Sequence, residues 1–162
     1  MLSTMEKILF LNKVPLFEGM TSEQLRIISQ ICVEEEFLQG ETIIEQGDLG
    51  DKMYIIVDGD VDIFKENEEG KQVYITTVKG GEGGIFGEMA TITDHTRNAT
   101  VKANTDVRTL AIPKDEFREI IREYPELSFE IFRVLVKKQD DTNRLVEMYI
   151  QQGVMTDQQK SG

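Results

Sequence analysis

Short β-prone runs separated by glycine fill the middle of the chain and leave few folds open to it. We predict strands over residues 33–38, 42–45, 53–57, 61–65, 73–78, 99–103 and 107–112. Glycine stands in the gaps, as at Gly40, Gly59 and Gly70, where turns need a backbone with positive φ. No helix of crossover length separates these runs before residue 113, which excludes a parallel sheet. The pattern predicts an antiparallel β jelly-roll barrel over residues 33–112.

Helical patterns precede the predicted barrel. Ser3 with Glu6, and Thr21 with Gln24, have the spacing of capping boxes, in which two side chains satisfy free amides at a helix start. We therefore expect two short helices within residues 1–32. The expected fold class is mainly β with flanking helices.

The pattern becomes helical again after the last predicted strand. We predict a helix that starts at Pro113 and a long second helix over residues 126–150. Every residue from Lys137 to Arg144 is polar, which is typical of a helix that leaves the body of its domain. A second apolar cluster follows at residues 145–150, and we interpret it as a lid over a ligand or as a contact with a partner or second copy. Residues 151–162 are expected to form a flexible tail.

The charge balance bears on the class of partner. The chain has 30 acidic and 18 basic residues, a formal net charge of -12. Because binding to a long anionic polymer relies on a basic face, we expect no nucleic-acid partner. No apolar run approaches the roughly 18 residues that a membrane-spanning helix needs, so we expect no membrane insertion and a cytoplasmic location. The single cysteine, Cys32, excludes an internal disulfide and is expected to be a small buried hydrophobic residue.

Glycine is densest at residues 80–87, between the fifth and sixth predicted strands. Glycine lets backbone amides approach an anion closely, and a helix beginning at Gly87 would direct free N–H groups toward it. Arg97 adds a planar set of donors suited to two phosphate oxygens, and Glu88 offers a carboxylate that can accept a bond from a hydroxyl. These residues indicate a ligand with an anionic group and a hydroxyl. The alternative, from the residues alone, is a set of turns with solvated side chains.

Two motifs resemble those of the cyclic nucleotide-binding domain family. Residues 86–90 (Phe-Gly-Glu-Met-Ala) and 97–101 (Arg-Asn-Ala-Thr-Val) are similar to the family's phosphate-binding cassette, here residues 86–101. Residues 47–61 resemble the family's G-D-x-x-D-x-M-Y-I-I-x-x-G-x-V signature. The likeness runs from about Phe17 to Glu147. It implies a jelly roll that acts as a cyclic nucleotide-binding regulatory or sensor domain. The second apolar cluster beyond the polar stretch leads us to expect that ligand occupancy is transmitted through the C-terminal helix.

The resemblance also implies roles for individual residues. Glu88 would bind the ribose 2′-hydroxyl, the amides near Gly87 and Ala90 would meet the cyclic phosphate, and Arg97 would neutralise that phosphate. Apolar walls for the sugar and base would come from Val73, Ile85, Met89 and Val101. The full set of implied ligand-binding residues is Val73, Ile85, Phe86, Gly87, Glu88, Met89, Ala90, Arg97, Asn98, Ala99 and Val101.

Asn98 departs from the family pattern, which has alanine here in many cAMP binders and threonine in many cGMP binders. An asparagine side chain can both donate and accept hydrogen bonds, so this position leaves the choice between cAMP and cGMP open. We favour cAMP, because nothing in the sequence resembles the hydroxyl of the cGMP binders.

Other classes of function fit less well. The only histidine, His95, cannot supply a several-histidine metal site or a Ser-His-Asp triad, so we expect no enzyme, no metal and no cofactor besides the nucleotide. Residues 58–69 have the spacing of a calcium loop, but Ile63 stands where the sharp turn demands glycine. The main alternative is a ligand-free interaction module that retains the fold. Either function needs an effector protein or a fused domain as partner.

Overall fold

The computed structural model describes residues 1–152, and the middle of this chain forms two four-stranded antiparallel sheets. The strands are β1 (Val33–Phe37), β2 (Thr42–Ile44), β3 (Lys52–Asp58), β4 (Asp60–Glu66), β5 (Gln72–Lys79), β6 (Ile85–Phe86), β7 (Thr100–Ala103) and β8 (Val107–Pro113). One sheet has the order β1-β8-β3-β6 and the other β2-β7-β4-β5. This is the arrangement of a double-sheet jelly roll of eight strands. The predicted fold class, mainly β with flanking helices, is confirmed.

Strand β3 is buried on both of its faces and separates two parts of the core. Met53, Ile55 and Val57 pack toward the helices, whereas Tyr54 and Ile56 pack toward the second sheet. This division follows from the two-residue period of a strand. In the layer between the sheets, the ring of Tyr54 stacks on that of Phe86 with centroids 4.9 Å apart. The stacking fixes β6, which leads directly into the cassette.

The N-terminal helices pack on the outer face of the first sheet. They are α1 (Thr4–Asn12) and α2 (Ser22–Ser29), with a 3-10 turn at Pro15–Phe17 between them. Ser3 and Glu6 form a capping box at α1. Thr21 and Gln24 do the same at α2. Both helix starts therefore lie where the capping spacing predicts them.

Three further helices follow β6: α3 (Glu88–Ile92), α4 (Lys114–Glu123) and α5 (Pro125–Gln151). The first part of α5 is anchored by Leu127, Ile131 and Val134, which are buried at helical spacing. From residue 135 to residue 149 every side chain is exposed. The helix therefore extends away from the two sheets, as its polar middle section predicts.

The short strand β6 was not predicted, because it has only two residues and glycines on both sides, too few for an alternating pattern. The predicted flexible tail, residues 151–162, begins in the last turn of α5, and its residues 153–162 lie outside the described part of the chain. Among the helices of residues 1–152, none combines the length and apolar character that crossing a membrane requires.

Candidate functional site

A cavity of about 200 Å³ lies against the cassette. Its lining consists of Ile44, Ile63, Lys65, Ile85, Phe86, Gly87, Glu88, Thr96, Arg97, Asn98, Ala99 and Val101. The structure thus brings the predicted ligand residues with described side chains to one cavity, except for Val73. Residues distant in sequence meet there because β2, β4 and β7 are neighbours in the second sheet.

Val73 is not among the residues that line the cavity, and its implied contact with the ligand stays a prediction. It pairs with Lys65 near the end of the β4–β5 hairpin, on the edge strand of its sheet, and is 44% exposed. The sequence could not show this, because the position along the hairpin depends on strand register. Met89 and Ala90 belong to α3, but their side chains lie outside the described part of the structure, and their predicted contacts stay predictions.

Gly87 connects β6 to α3, and two independent features require glycine there. Its φ of +80° lies in the left-handed region, which side-chain-bearing residues rarely adopt. A Cβ atom at this position would also lie 2.7 Å from Nη1 of Arg97. The absence of a side chain therefore lets the backbone approach the guanidinium, which donates from Nη1 to the Gly87 carbonyl at 2.9 Å.

Arg97 is held in place at both its backbone and its side chain. The residue is only 5% exposed. Its backbone N–H donates to the Asp48 carbonyl at 2.7 Å, and its own carbonyl accepts from Gly47 at 2.9 Å. Its Nη2 donates to the Lys52 carbonyl at 2.7 Å. A guanidinium has five N–H donors, so these contacts with Gly87 and Lys52 orient the group and leave donors for a ligand.

The charge of Arg97 is buried without a carboxylate in direct contact. Among the ion pairs of residues 1–152, none includes this side chain. Burial lowers the pKa of the Arg97 guanidinium, whereas Tyr54, Asp51, Asp48 and Glu88 act in the opposite direction. Arginine remains protonated in proteins, so the site holds a buried positive charge bonded to neutral carbonyls. Such a charge attracts an anion into the cavity.

Glu88 and Asn98 lie on the cavity with different degrees of exposure. Glu88 is the first residue of α3 and is half-buried. Asn98 is exposed, although its neighbours Arg97 and Ala99 are both buried. The alternation places Asn98 at the rim of the cavity and Arg97 inside it. A ligand there can meet a cation, a carboxylate and an amide within one site.

Four lining residues were not predicted: Ile44, Ile63, Lys65 and Thr96. The sequence of β4 could have predicted two of them, because Ile63 and Lys65 follow Val61 at intervals of two residues and so share its face of the strand. Lys65 adds a second cation to a site whose predicted charges were those of Arg97 and Glu88 alone.

The family comparison agrees with this geometry. The family model for the cyclic nucleotide-binding domain matches residues 34–124, more than half of the chain and the whole of the cassette. The chain belongs to the cyclic nucleotide-binding domain family.

Individual relatives support the same assignment. A CRP-like cAMP-activated global transcriptional regulator from Mycobacterium tuberculosis is 27% identical over 82% of this chain. The chain spans 58% of the length of that regulator. The structure of a cyclic nucleotide-binding-like protein from Brucella abortus has 34% identity and a TM-score of 0.62, over 72% of this chain and 97% of that one. A cAMP-bound PfPKA-R has 30% identity and a TM-score of 0.66, over 72% of this chain and 41% of that one.

Proposed function

We propose that this chain is a regulatory domain that binds cAMP in preference to cGMP in the cavity beside the cassette and transmits occupancy through α5. The observation that carries the proposal is the buried guanidinium of Arg97, which has no ion-pair partner among the described residues and shares one cavity with Glu88. A cyclic phosphate supplies the missing negative charge. The adjoining ribose has a hydroxyl that can donate a hydrogen bond to the carboxylate of Glu88.

Each cassette residue has a defined role in this proposal. Arg97 pairs with the cyclic phosphate, and the amides near Gly87 and Ala90 complete its binding. Glu88 accepts a hydrogen bond from the ribose 2′-hydroxyl. Ile85 and Val101, which line the cavity, contact the sugar and base. The M. tuberculosis relative is a transcriptional regulator, and the proposal includes no catalytic step.

The preference for cAMP rests on the relatives and on the absence, at position 98, of the hydroxyl that is typical of cGMP binders. The M. tuberculosis regulator is activated by cAMP, and PfPKA-R has cAMP bound in its structure. Asn98 lies at the exposed rim, where its amide can contact a purine base or the phosphate. We expect Asn98→Thr, which introduces the hydroxyl typical of cGMP binders, to shift the ratio of cAMP to cGMP affinity toward cGMP. An unchanged ratio would exclude Asn98 from base selection.

Transmission through α5 rests on the apolar residues beyond its polar section. Leu145, Met148 and Tyr149 are 46%, 49% and 39% exposed, and none of them belongs to the two clusters of buried apolar residues. We infer that they cover the base when α5 moves toward an occupied cavity. A ligand can move a helix only by binding its two positions with different affinity, so removing the lid must weaken binding.

Truncation tests the lid. Deleting residues 143–162 should lower cAMP affinity, whereas deleting residues 153–162 alone, the matched control, should leave it unchanged. Equal affinities of the full chain and the longer deletion would refute the lid.

A second copy of the chain is the partner that α5 itself suggests. An outward stripe with alternating three- and four-residue spacing runs along the side opposite the buried anchors and comprises Phe129, Phe132, Val136, Gln139, Asn143, Val146 and Ile150. Val136, Asn143 and Ile150 follow one another at intervals of seven residues. β-branched residues with a single asparagine at such a repeated position are typical of two-stranded coiled coils. We expect sedimentation to show a dimer that Val136→Glu disrupts and that Lys138→Glu, off the stripe, leaves intact. A monomeric wild type would refute this contact.

The remaining partner of the switch is an effector protein or a fused domain that detects the position of α5. For these 162 residues, with a formal net charge of -12, we propose no nucleic-acid contact.

Displacement of a fluorescent cAMP analogue tests the binding proposal. Unlabelled cAMP should displace the analogue at lower concentration than cGMP, and 5′-AMP, which lacks the cyclic phosphate, should compete poorly. Failure of the analogue to bind would favour the ligand-free interaction module.

A further inference from the structure

An ion-pair cluster joins the cassette to α4 outside the nucleotide cavity. Asp94 lies in the loop between α3 and Arg97. Its Oδ1 is 3.0 Å from Nζ of Lys114 and 3.0 Å from Nη1 of Arg118. These two cations are four residues apart, so they project from the same face of α4. One carboxylate oxygen of the cassette thus contacts two successive turns of the helix.

Arg118 makes a second contact with the same segment. Its Nε donates to the carbonyl of Thr91, near the end of α3, at 3.3 Å. The side chain therefore holds the segment at two points, a backbone carbonyl and the carboxylate of Asp94. These points lie between Glu88 and Arg97, the two residues to which the proposed function gives ribose and phosphate contacts.

The start of α4 is in turn fixed to the sheet. The backbone N–H of Lys114 donates to the carbonyl of Asp51 at 2.8 Å. Asp51 adjoins Lys52, whose carbonyl accepts from Arg97. The guanidinium of Arg97 and the first residue of α4 therefore donate to two neighbouring backbone carbonyls. The ion pairs of Asp94 form a second connection between the Arg97 loop and α4.

We propose that Asp94 is a positioning residue that, through Lys114 and Arg118, couples the position of the Arg97 loop to that of α4 and hence of α5. The proposal rests on the proposed nucleotide site. It adds the specific residues by which occupancy of that site reaches the helices.

The exposure of the cluster suits a contact that is broken and reformed. The side chain of Asp94 is 80% exposed, whereas those of Lys114 and Arg118 are 20% and 30% exposed. The two cations are held against the protein and the carboxylate is the open partner. Hydrogen bonds from Lys114 and Arg118 keep the pKa of Asp94 below its ordinary value, so the carboxylate is charged at neutral pH. Solvent can replace the pair at low cost when the loop moves.

Hydrogen exchange of the full-length protein with and without cAMP tests the coupling. In the wild type, cAMP should change the exchange of amides in both the cassette and α4. In Asp94→Asn the cassette should still respond, the response of α4 should be weaker than in the wild type, and cAMP affinity should change by no more than about fivefold, the range of an exposed ion pair. Asp94→Glu, which keeps the charge, should restore the response of α4.

Asp140→Asn is the matched control, because it removes an exposed carboxylate that pairs with Arg144 within α5 at 3.1 Å, away from the cassette. It should leave both affinity and exchange at wild-type values. A full response of α4 in Asp94→Asn, or a loss of response in Asp140→Asn, would overturn the proposal while leaving the nucleotide site intact. A wild type that binds no cAMP would instead overturn the proposed function, and the coupling with it.

Discussion

Replacing Arg97 with alanine tests the phosphate site at its buried charge. The side chain is 5% exposed and donates to the carbonyls of Gly87 and Lys52. A hydrogen bond to a charged group contributes about 1.5 to 3 kcal/mol, so losing the bond to the cyclic phosphate should weaken cAMP binding about ten- to a hundredfold. Leaving the two carbonyls without donors should also lower the free energy of unfolding by about 1 to 3 kcal/mol.

The assay is calorimetric titration with cAMP, together with urea unfolding of each variant. Arg97→Lys retains the charge but not the planar donor set, so its affinity should lie between those of the wild type and Arg97→Ala. Arg26→Ala, which removes a surface arginine paired with Glu23, should change neither quantity. Wild-type affinity in a folded Arg97→Ala variant would refute the phosphate role of Arg97.

Three further predictions concern the ribose contact, the lone cysteine and the anchor of α5. Glu88→Gln should weaken the binding of cAMP but not of 2′-deoxy-cAMP, since only cAMP carries the hydroxyl; equal losses in calorimetry would contradict that contact. Burial raises the pKa of the Cys32 thiol to about 12, so iodoacetamide at pH 8 should react with it far more slowly in the folded protein than in urea, and similar rates would show an accessible thiol. Leu127→Ala, at a fully buried site, should lower the free energy of unfolding by about 2 to 5 kcal/mol in urea titrations, and a change below about 1 kcal/mol would show that the first part of α5 is not anchored there.

Features encoded over a few neighbouring residues could be predicted from the sequence. The capping boxes at Ser3 and Thr21 depend on contacts three residues apart, and both lie where the spacing places them. The cassette is likewise contiguous, so its glycine, carboxylate and arginine could be recognised together. The cavity lining then contains Glu88 and Arg97 as expected.

Features that depend on long-range register could not be predicted in the same way. The hydrogen bond that the Arg97 side chain donates to the Lys52 carbonyl joins residues 45 positions apart, and no local sequence pattern encodes it. The same limit applies to Val73, whose distance from the cavity is set by the pairing of β4 with β5. The contact between Asp94 and α4 depends on how a loop meets a helix, and charge alone did not indicate it.

Side-by-side calorimetry of the wild-type protein with cAMP and cGMP tests whether a cyclic nucleotide binds at the cassette and whether cAMP is preferred. We expect saturable heat with both nucleotides and a lower dissociation constant for cAMP. Heat with neither nucleotide would contradict the binding function. Tighter binding of cGMP would contradict the preference and leave the phosphate site standing.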